Sequence, residues 1–401
     1  MTGDLAGQLL RRGYLALPRE HRRHADADVF ETSVLGRRAV VVRGRDGAQL
    51  FYDNSVVKRN GAIPWPLANL LFGRGAVHGT DGATHASRKR MFLDILSEER
   101  TEELVATIGR DLDRRVARWP GREVVIFNEL VEVYGAAVQA WAGVAAGPGR
   151  TRRVSHRLAA IVNGFGAAGW AYPRAWAARL WADRWAHRLV LQARQGRPEP
   201  RPGSVLAEIA LGRGAHLDAR LAAVELINVL RPTVAVAWPA TFLARELVRY
   251  PQWRPMVADA AGRQAFGHEV RRTCPFVPAL AGQARREVEI GGVDIAPGDL
   301  IVLDVPGTHR HPDQWEEAER FLPERFAGSS PDPFAFVPQG GGDPAAGHRC
   351  PGEPLTVRIL DETARVLARV DYEPVTDLAH DPTRIPTLPP RGLPVRVGRS
   401  S

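Results

Sequence analysis

Cys350 stands in FVPQGGGDPAAGHRCPGE, a glycine-rich stretch near the C-terminus, and Cys274 is the only other cysteine. Arg349 precedes it, and a stretch of helical periodicity, LTVRILDETARVLARV, follows. A thiol between a cation and a helix N-terminus sits where its thiolate is stabilised. Such a thiolate suits the axial position of a haem iron. An inert loop cysteine fits the same residue taken alone, so the rest of the chain has to decide.

Three other segments carry groups of matching chemistry. Glu269 and Arg272 lie three residues apart in EVRR, where a carboxylate and a guanidinium meet on one helical face. FLPERF, residues 321–326, adds Arg325, which could close a network with that pair. The long apolar segment ELINVLRPTVAVAWPATFLARELV places Arg231 beside Pro232. Proline opens the helical hydrogen-bond ladder. A buried guanidinium costs about several kcal/mol unless an anion neutralises it, and its planar fork matches a carboxylate. The pair is built to receive a carboxylate, unless an internal acid such as Glu225 already pairs with Arg231.

The order Glu-x-x-Arg, Pro-Glu-Arg-Phe and glycine-rich Cys loop resembles the cytochrome P450 superfamily over most of the chain. RPTVA, the elongated PQGGG…GHRCPGE loop and VHGTDGATHASRKRMF resemble its bacterial fatty-acid peroxygenase branch. The resemblance implies a mainly α fold with small β-sheets around haem b, its iron held by Cys350 and Glu269, Arg272 and Arg325 acting as a structural trio. It implies hydrogen peroxide as oxidant and medium- to long-chain free fatty acids as partners, with no obligate redox partner. Oxygen-activating members have an acid and a threonine where Arg231 and Pro232 stand. The carboxylate of a substrate clamped by Arg231 would then do the acid-base work, and oxidation would fall at the α or β carbon.

By the same resemblance His78, packed on Phe72, faces the substrate and favours decarboxylation to terminal alkenes beside hydroxylation. Arg59, His85, Lys89 and Arg349 would anchor the haem propionates, with His348 a weaker candidate. The acyl channel would use Phe165 and Trp170 from IVNGFGAAGWAYP and the segment Phe276 to Ala279. Departures from the family pattern are Pro239, expected to bend the rear of the central helix, small residues at Pro344-Ala345-Ala346, and Pro354 in a first helical turn. A reductase-dependent monooxygenase is the alternative enzyme, and a non-catalytic haem or fatty-acid binding protein the alternative of another class.

These groups need elements to hold them. Residues 29–53 and 283–304 read as β-rich, the first as a hairpin around RGRDG and the second around GG and PG turns. Helical periodicity runs near 84–117, 127–146, 175–196, 218–249 and 259–273. With 401 residues, 44% hydrophobic content and no low-complexity linker, a single domain over 1–401 is expected, its haem loop at 336–353. The net charge of +9 is almost all arginine, since Lys58 and Lys89 are the only lysines, and 45 acidic residues are interleaved. That is a solvated basic surface and argues against nucleic acid. The N-terminal stretch lacks an apolar run of signal or membrane length, so a soluble, unanchored cytoplasmic protein is expected. No P-loop is present.

Overall fold

The structure, a computed structural model, describes residues 4–144, 146–167, 169–328 and 330–398. Helices dominate, and their largest apolar cluster surrounds a central helix, Ala219–Ala235, continued by Ala237–Arg249. Asp218 starts it by accepting the Arg220 and Leu221 amides at 2.9 and 3.0 Å. Of an 18-residue apolar window in this stretch, 89% is buried, so its hydropathy belongs to a core helix. Pro232 lies inside the helix, and the break at Val236 comes three residues before Pro239, where the expected bend falls.

Four of the five predicted helical segments appear as helices, at Ile126–Trp141, Ala171–Arg194, Ala219–Arg249 with its break, and Ala260–Thr273. The fifth divides at Leu96-Ser97 into Gly82–Ile95 and Glu98–Val116. Sequence periodicity passed over Pro148–Asn163, whose exposed face is crowded with arginines.

Strands from both β-rich regions share a five-stranded sheet, ordered Val29–Val34, Arg37–Val42, Leu300–Asp304, Ala279–Ala284 and Val57–Lys58, while Val288–Ile290 and Val293–Ile295 pair as a separate hairpin. Arg37–Val42 pairs in parallel with Leu300–Asp304, Ala39 opposite Leu300, while the other neighbours are antiparallel. The hairpin prediction around RGRDG is corrected. The turn lies at Leu35-Gly36, and Gly44–Tyr52 is a helix. Gly44, at φ +78, turns the chain against the His311 ring, and Gly47, Ala48 and Phe51 then bury a helical face.

Candidate active site

The glycine-rich loop runs into the helix Glu353–Leu367, with Pro354 in its first turn as expected. Cys350 is pinned through its amide to the Gln339 carbonyl at 2.9 Å, and Gln339 Nε2 lies 3.8 Å from its sulfur. In the small-residue part of the loop, Asp343 turns the chain by accepting the Ala345 amide at 2.7 Å. The electrostatics differ from expectation. Burial pushes the Cys350 thiol up, opposed by the Gly352 amide and reinforced by Glu353. The cations meant to favour the thiolate are spent elsewhere. Arg349 donates to Glu353 Oε2 at 2.6 Å and to the Gly342 carbonyl at 2.9 Å, and Arg271 bonds the other oxygen of Glu353.

Beneath the loop, Arg272 grips Glu269 with two bonds of 2.8 and 2.7 Å, and Arg325 Nε lies 3.4 Å from the same carboxylate. Arg272 also donates to the carbonyls of His309, Ala318 and Arg320, and Glu269 accepts the Leu322 amide. This trio therefore joins a helix to the irregular chain from 309 to 325. The Glu269–Arg272 pair is fully buried, and removing one partner would strand the other charge.

A cavity of about 980 Å³ lies between the Cys350 loop and the central helix. Arg231, Pro232, His78, Phe72, Phe165, Phe276 and Ala279 all line it, as do Arg59, His85, Lys89 and His348. Arg231 is 5% exposed, and no acid pairs with it among the described residues. Its Nη2 reaches only Asn228 Oδ1 at 3.3 Å, and its Nε has no partner. Burial, and then the charge of Arg179, pulls its pKa down to about 9. Glu225, the candidate internal partner, is occupied by Arg88, the Val77 amide at 3.0 Å and Asn228 Nδ2 at 3.1 Å.

His78 lines this cavity, its ring stacked on Phe72 at 4.2 Å with 18° between the planes. Enclosure and the nearby Arg231 push its pKa down to about 3, so it is a neutral imidazole. The Arg231 guanidinium lies 5.8 Å from the Phe72 ring on the same wall. Trp170, by contrast, is 85% exposed and is not among the cavity's lining residues, which corrects its expected place in the channel. Residue 168 of that segment lies outside the described residues.

A family model described as Cytochrome P450 matches residues 263–360. A solved mutant of Cytochrome P450SP alpha (CYP152B1) is 35% identical, covers 100% of both chains and superposes with a TM-score of 0.93. The chain belongs to the cytochrome P450 family. Cytochrome P450EX alpha (CYP152N1), solved with myristic acid, is 30% identical over 100% of this chain and 98% of its own, with a TM-score of 0.92. Among curated proteins, Cytochrome P450 716A2 of Arabidopsis thaliana is 35% identical over 130 residues, 30% of this chain. The chain spans 26% of that relative's length.

Cytochrome P450 enzymes carry haem on a cysteine thiolate, and the cavity fits it. Cys350 is on one wall, and Arg59 on the rim has an unpartnered buried Nη1 and a pKa lowered by burial to about 10. A bound propionate would satisfy that orphaned donor. The His85 and His348 rings lie 3.9 Å apart, tilted by 32°, and burial lowers their pKa values to about 4 and 3, so each can offer one N–H and no charge. Lys89 gives its ammonium to the carbonyls of Gly347 and Arg349, the latter at 2.7 Å, and so clasps the cysteine loop. Of the expected propionate cations, Arg59 has a buried donor without a partner, while Arg349 and Lys89 line the same cavity and also brace the loop.

Sequence reasoning missed Asn228, Arg271 and Gln339. Asn228 was discernible, since Glu225, Asn228 and Arg231 recur every three residues along one helical face. Arg271 and Gln339 meet only through tertiary contact, at 3.1 Å.

His309 gives this cytochrome P450 an acid sensitivity. Its Nε2 accepts the Val337 amide at 3.0 Å, so that nitrogen carries no proton, and burial lowers its pKa to about 3 from an ordinary 6.5. Between those values the unfolded chain holds the extra proton, so stability is complete above about pH 6.5 and falls on acidification. Each such group contributes a slope of up to about 1.4 kcal/mol per pH unit. Urea midpoints should fall as pH is lowered from 7.5 to 5, and His309→Gln, whose amide oxygen can accept the same bond, should flatten the decline. Unchanged midpoints would contradict this.

Proposed function

We propose that this protein uses hydrogen peroxide to oxidise free fatty acids at the α or β carbon, giving 2- or 3-hydroxy acids and, through His78, terminal alkenes with carbon dioxide. The observation that carries the proposal is Arg231, a buried cation on the cavity wall with an unpaired Nε and no acid partner among the described residues. A substrate carboxylate would supply the missing anion through parallel hydrogen bonds. The relative solved with myristic acid supports an acid of this class.

Haem on the Cys350 thiolate supplies O–O cleavage and C–H oxidation when bound. Arg231 does the positioning: a carboxylate on a rigid fork fixes the distance of the first chain carbons from the reacting centre. The held carboxylate can take a proton from one peroxide oxygen and return it to the other as water leaves. One acid and one peroxide then give a hydroxy acid and one water, or an alkene, carbon dioxide and two waters. The peroxide brings the oxidising equivalents, so a reductase has no necessary part. We take the chain to act as one domain, since strands from residues 29–42 and 279–304 share a sheet. Two free cysteines fit a reducing cytoplasm.

His78 faces the space beside Arg231 as a neutral ring, able to orient a carboxylate or a carbon-centred group without competing for charge. In His78→Gln the alkene share should fall several-fold while hydroxy acids rise, and the wild-type ratio should stay flat between pH 6 and 8, because the ring titrates near 3. The reading is tested by mass spectrometry of products from saturated acids, lauric to arachidic, with peroxide. Turnover with NAD(P)H and redox proteins but none with peroxide would replace it with the monooxygenase alternative. A carbon monoxide difference spectrum without the thiolate-type Soret shift would end the haem-thiolate assignment.

A further inference from the structure

The cavity opens among side chains that water does not favour. Leu10 and Leu35 line it and are 56% and 61% exposed. Trp65 is 71% exposed between the lining residues Pro64 and Pro66, and Trp170 is 85% exposed next to the lining residue Gly169. Singly, exposed apolar residues are ordinary. Four large ones around one opening form an apolar rim that is not. The segments are neighbours: the helix Leu5–Arg12 packs on strand Val29–Val34, the helix Trp65–Leu71 packs on Ala171–Arg194, and Arg37 bridges to the Gly61 carbonyl at 3.2 Å.

Leu35 stands out further. It heads the hairpin at φ +51, a left-handed conformation that suits glycine or asparagine and that leucine adopts only with strain. Neither backbone preference nor burial explains a leucine there. The charge around the rim is mainly positive, its acids being Asp4 on the Gly36 amide and Glu31 and Asp299 paired with Arg38. Segments 5–12, 34–38, 61–67 and 169–174 contain Arg11, Arg12, Arg37, Arg38 and Arg174 and no Asp or Glu. Arg11, Arg12 and Arg174 are exposed and make no ion pair among the described residues.

We propose that this rim is a docking surface for an anionic lipid bilayer, the tips of Leu35, Trp65 and Trp170 entering the headgroup layer and the arginines meeting its charge. Apolar insertion combined with basic flanks is how proteins without a membrane span hold a membrane reversibly. The opening of the cavity then faces the phase in which long-chain acids reside. That the bilayer delivers the substrate rests on the fatty-acid reading above; docking itself does not.

The test is co-sedimentation of the haem-loaded protein with phosphatidylglycerol or phosphatidylcholine vesicles, without fatty acid or peroxide. Binding should be confined to the anionic vesicles and weaken as salt is raised. Arg11→Gln with Arg12→Gln should lower partitioning about thirtyfold, at roughly 1 kcal/mol for each basic residue near the surface. Leu35→Gly combined with Trp170→Ser should lower it several-fold, and Leu35→Gly relieves backbone strain, so the fold is not at risk. Absence of wild-type binding overturns the proposal, as does undiminished binding by both variants, which would place the contact elsewhere on a basic protein. A wild-type dimer in sedimentation velocity that the apolar variant dissociates, without vesicle binding, would assign the rim to a second copy and also overturn it. None of these readouts depends on turnover, so failure of the oxidation chemistry would be recognised separately.

Discussion

Arg231→Leu should lose peroxide-driven fatty-acid turnover by about 10²–10³-fold or more in kcat/KM while still taking up haem. The size follows from truncating one partner of a buried charge pair, which costs about 2–5 kcal/mol. Here the loss falls on binding and chemistry together, because the clamped carboxylate is also the proton carrier. Arg231→Lys should keep part of the activity, since an ammonium holds charge without the planar fork. A second readout points the other way. Without substrate, Arg231 is a buried cation with an unpaired Nε and Arg179 nearby, so leucine should raise the melting temperature of the substrate-free protein by about a few degrees. Adding fatty acid should then stabilise the wild type and leave the variant unmoved. Full retention of activity in Arg231→Leu would remove the carboxylate clamp from this site.

Cys350→Ser should abolish both the thiolate-type carbon monoxide spectrum and oxidation of any fatty acid. The loss should exceed the roughly 10–100-fold cost of altering an outer hydrogen-bond partner of a metal site. A serine hydroxyl does not donate the electron density that favours O–O cleavage. The substitution isolates chemistry from architecture, because the loop does not depend on the sulfur. Its shape is held by Arg271 and Arg349 on Glu353, by Lys89 on two carbonyls, and by the Cys350 amide on Gln339, whereas the sulfur receives the Gly352 amide and a 3.8 Å contact from Gln339. Circular dichroism and the urea midpoint should therefore stay close to wild type, and so should the stabilisation by added fatty acid. A serine variant that still oxidised fatty acids with peroxide would deny Cys350 its role at the iron.

What the sequence made legible was chemistry written in short, local spacings. The Glu269-Arg272 pair, the Arg325 element and the Cys350 loop are each contained within a few residues, and the structure assembles them as one frame. Arg231 could be recognised because an arginine beside a proline in an apolar helix has few bland explanations, and the occupied Glu225 carboxylate removes the blandest. The misreadings share a physical cause. Arg349 and Lys89 line the cavity, but the sequence did not show that they also brace the loop, Arg349 reaching forward to Glu353 at the start of the next helix. Trp170 is apolar in an apolar loop, and composition does not say whether a loop residue turns inward or out. RGRDG suited a turn as well as a helix start, and only packing against Val42 and His311 settles it as a helix. The union of residues 29–42 with 300–304 in one sheet is a long-range pairing that neither strand announces.

Glu225, Asn228 and Arg231 stand on one face of a single helix, and the amide of Val77, the residue before His78, hangs from the first of them. The distance between Arg231 and the segment carrying His78 is thus set by the pitch of one helix. Leu10, Leu35 and Phe165 line the cavity from other elements. On the proposed reading the protein is modular in the sense an engineer uses the word: substitutions at Leu10, Leu35 or Phe165 would alter which tails fit without moving Arg231, and substitutions at His78 would alter the product without moving those residues.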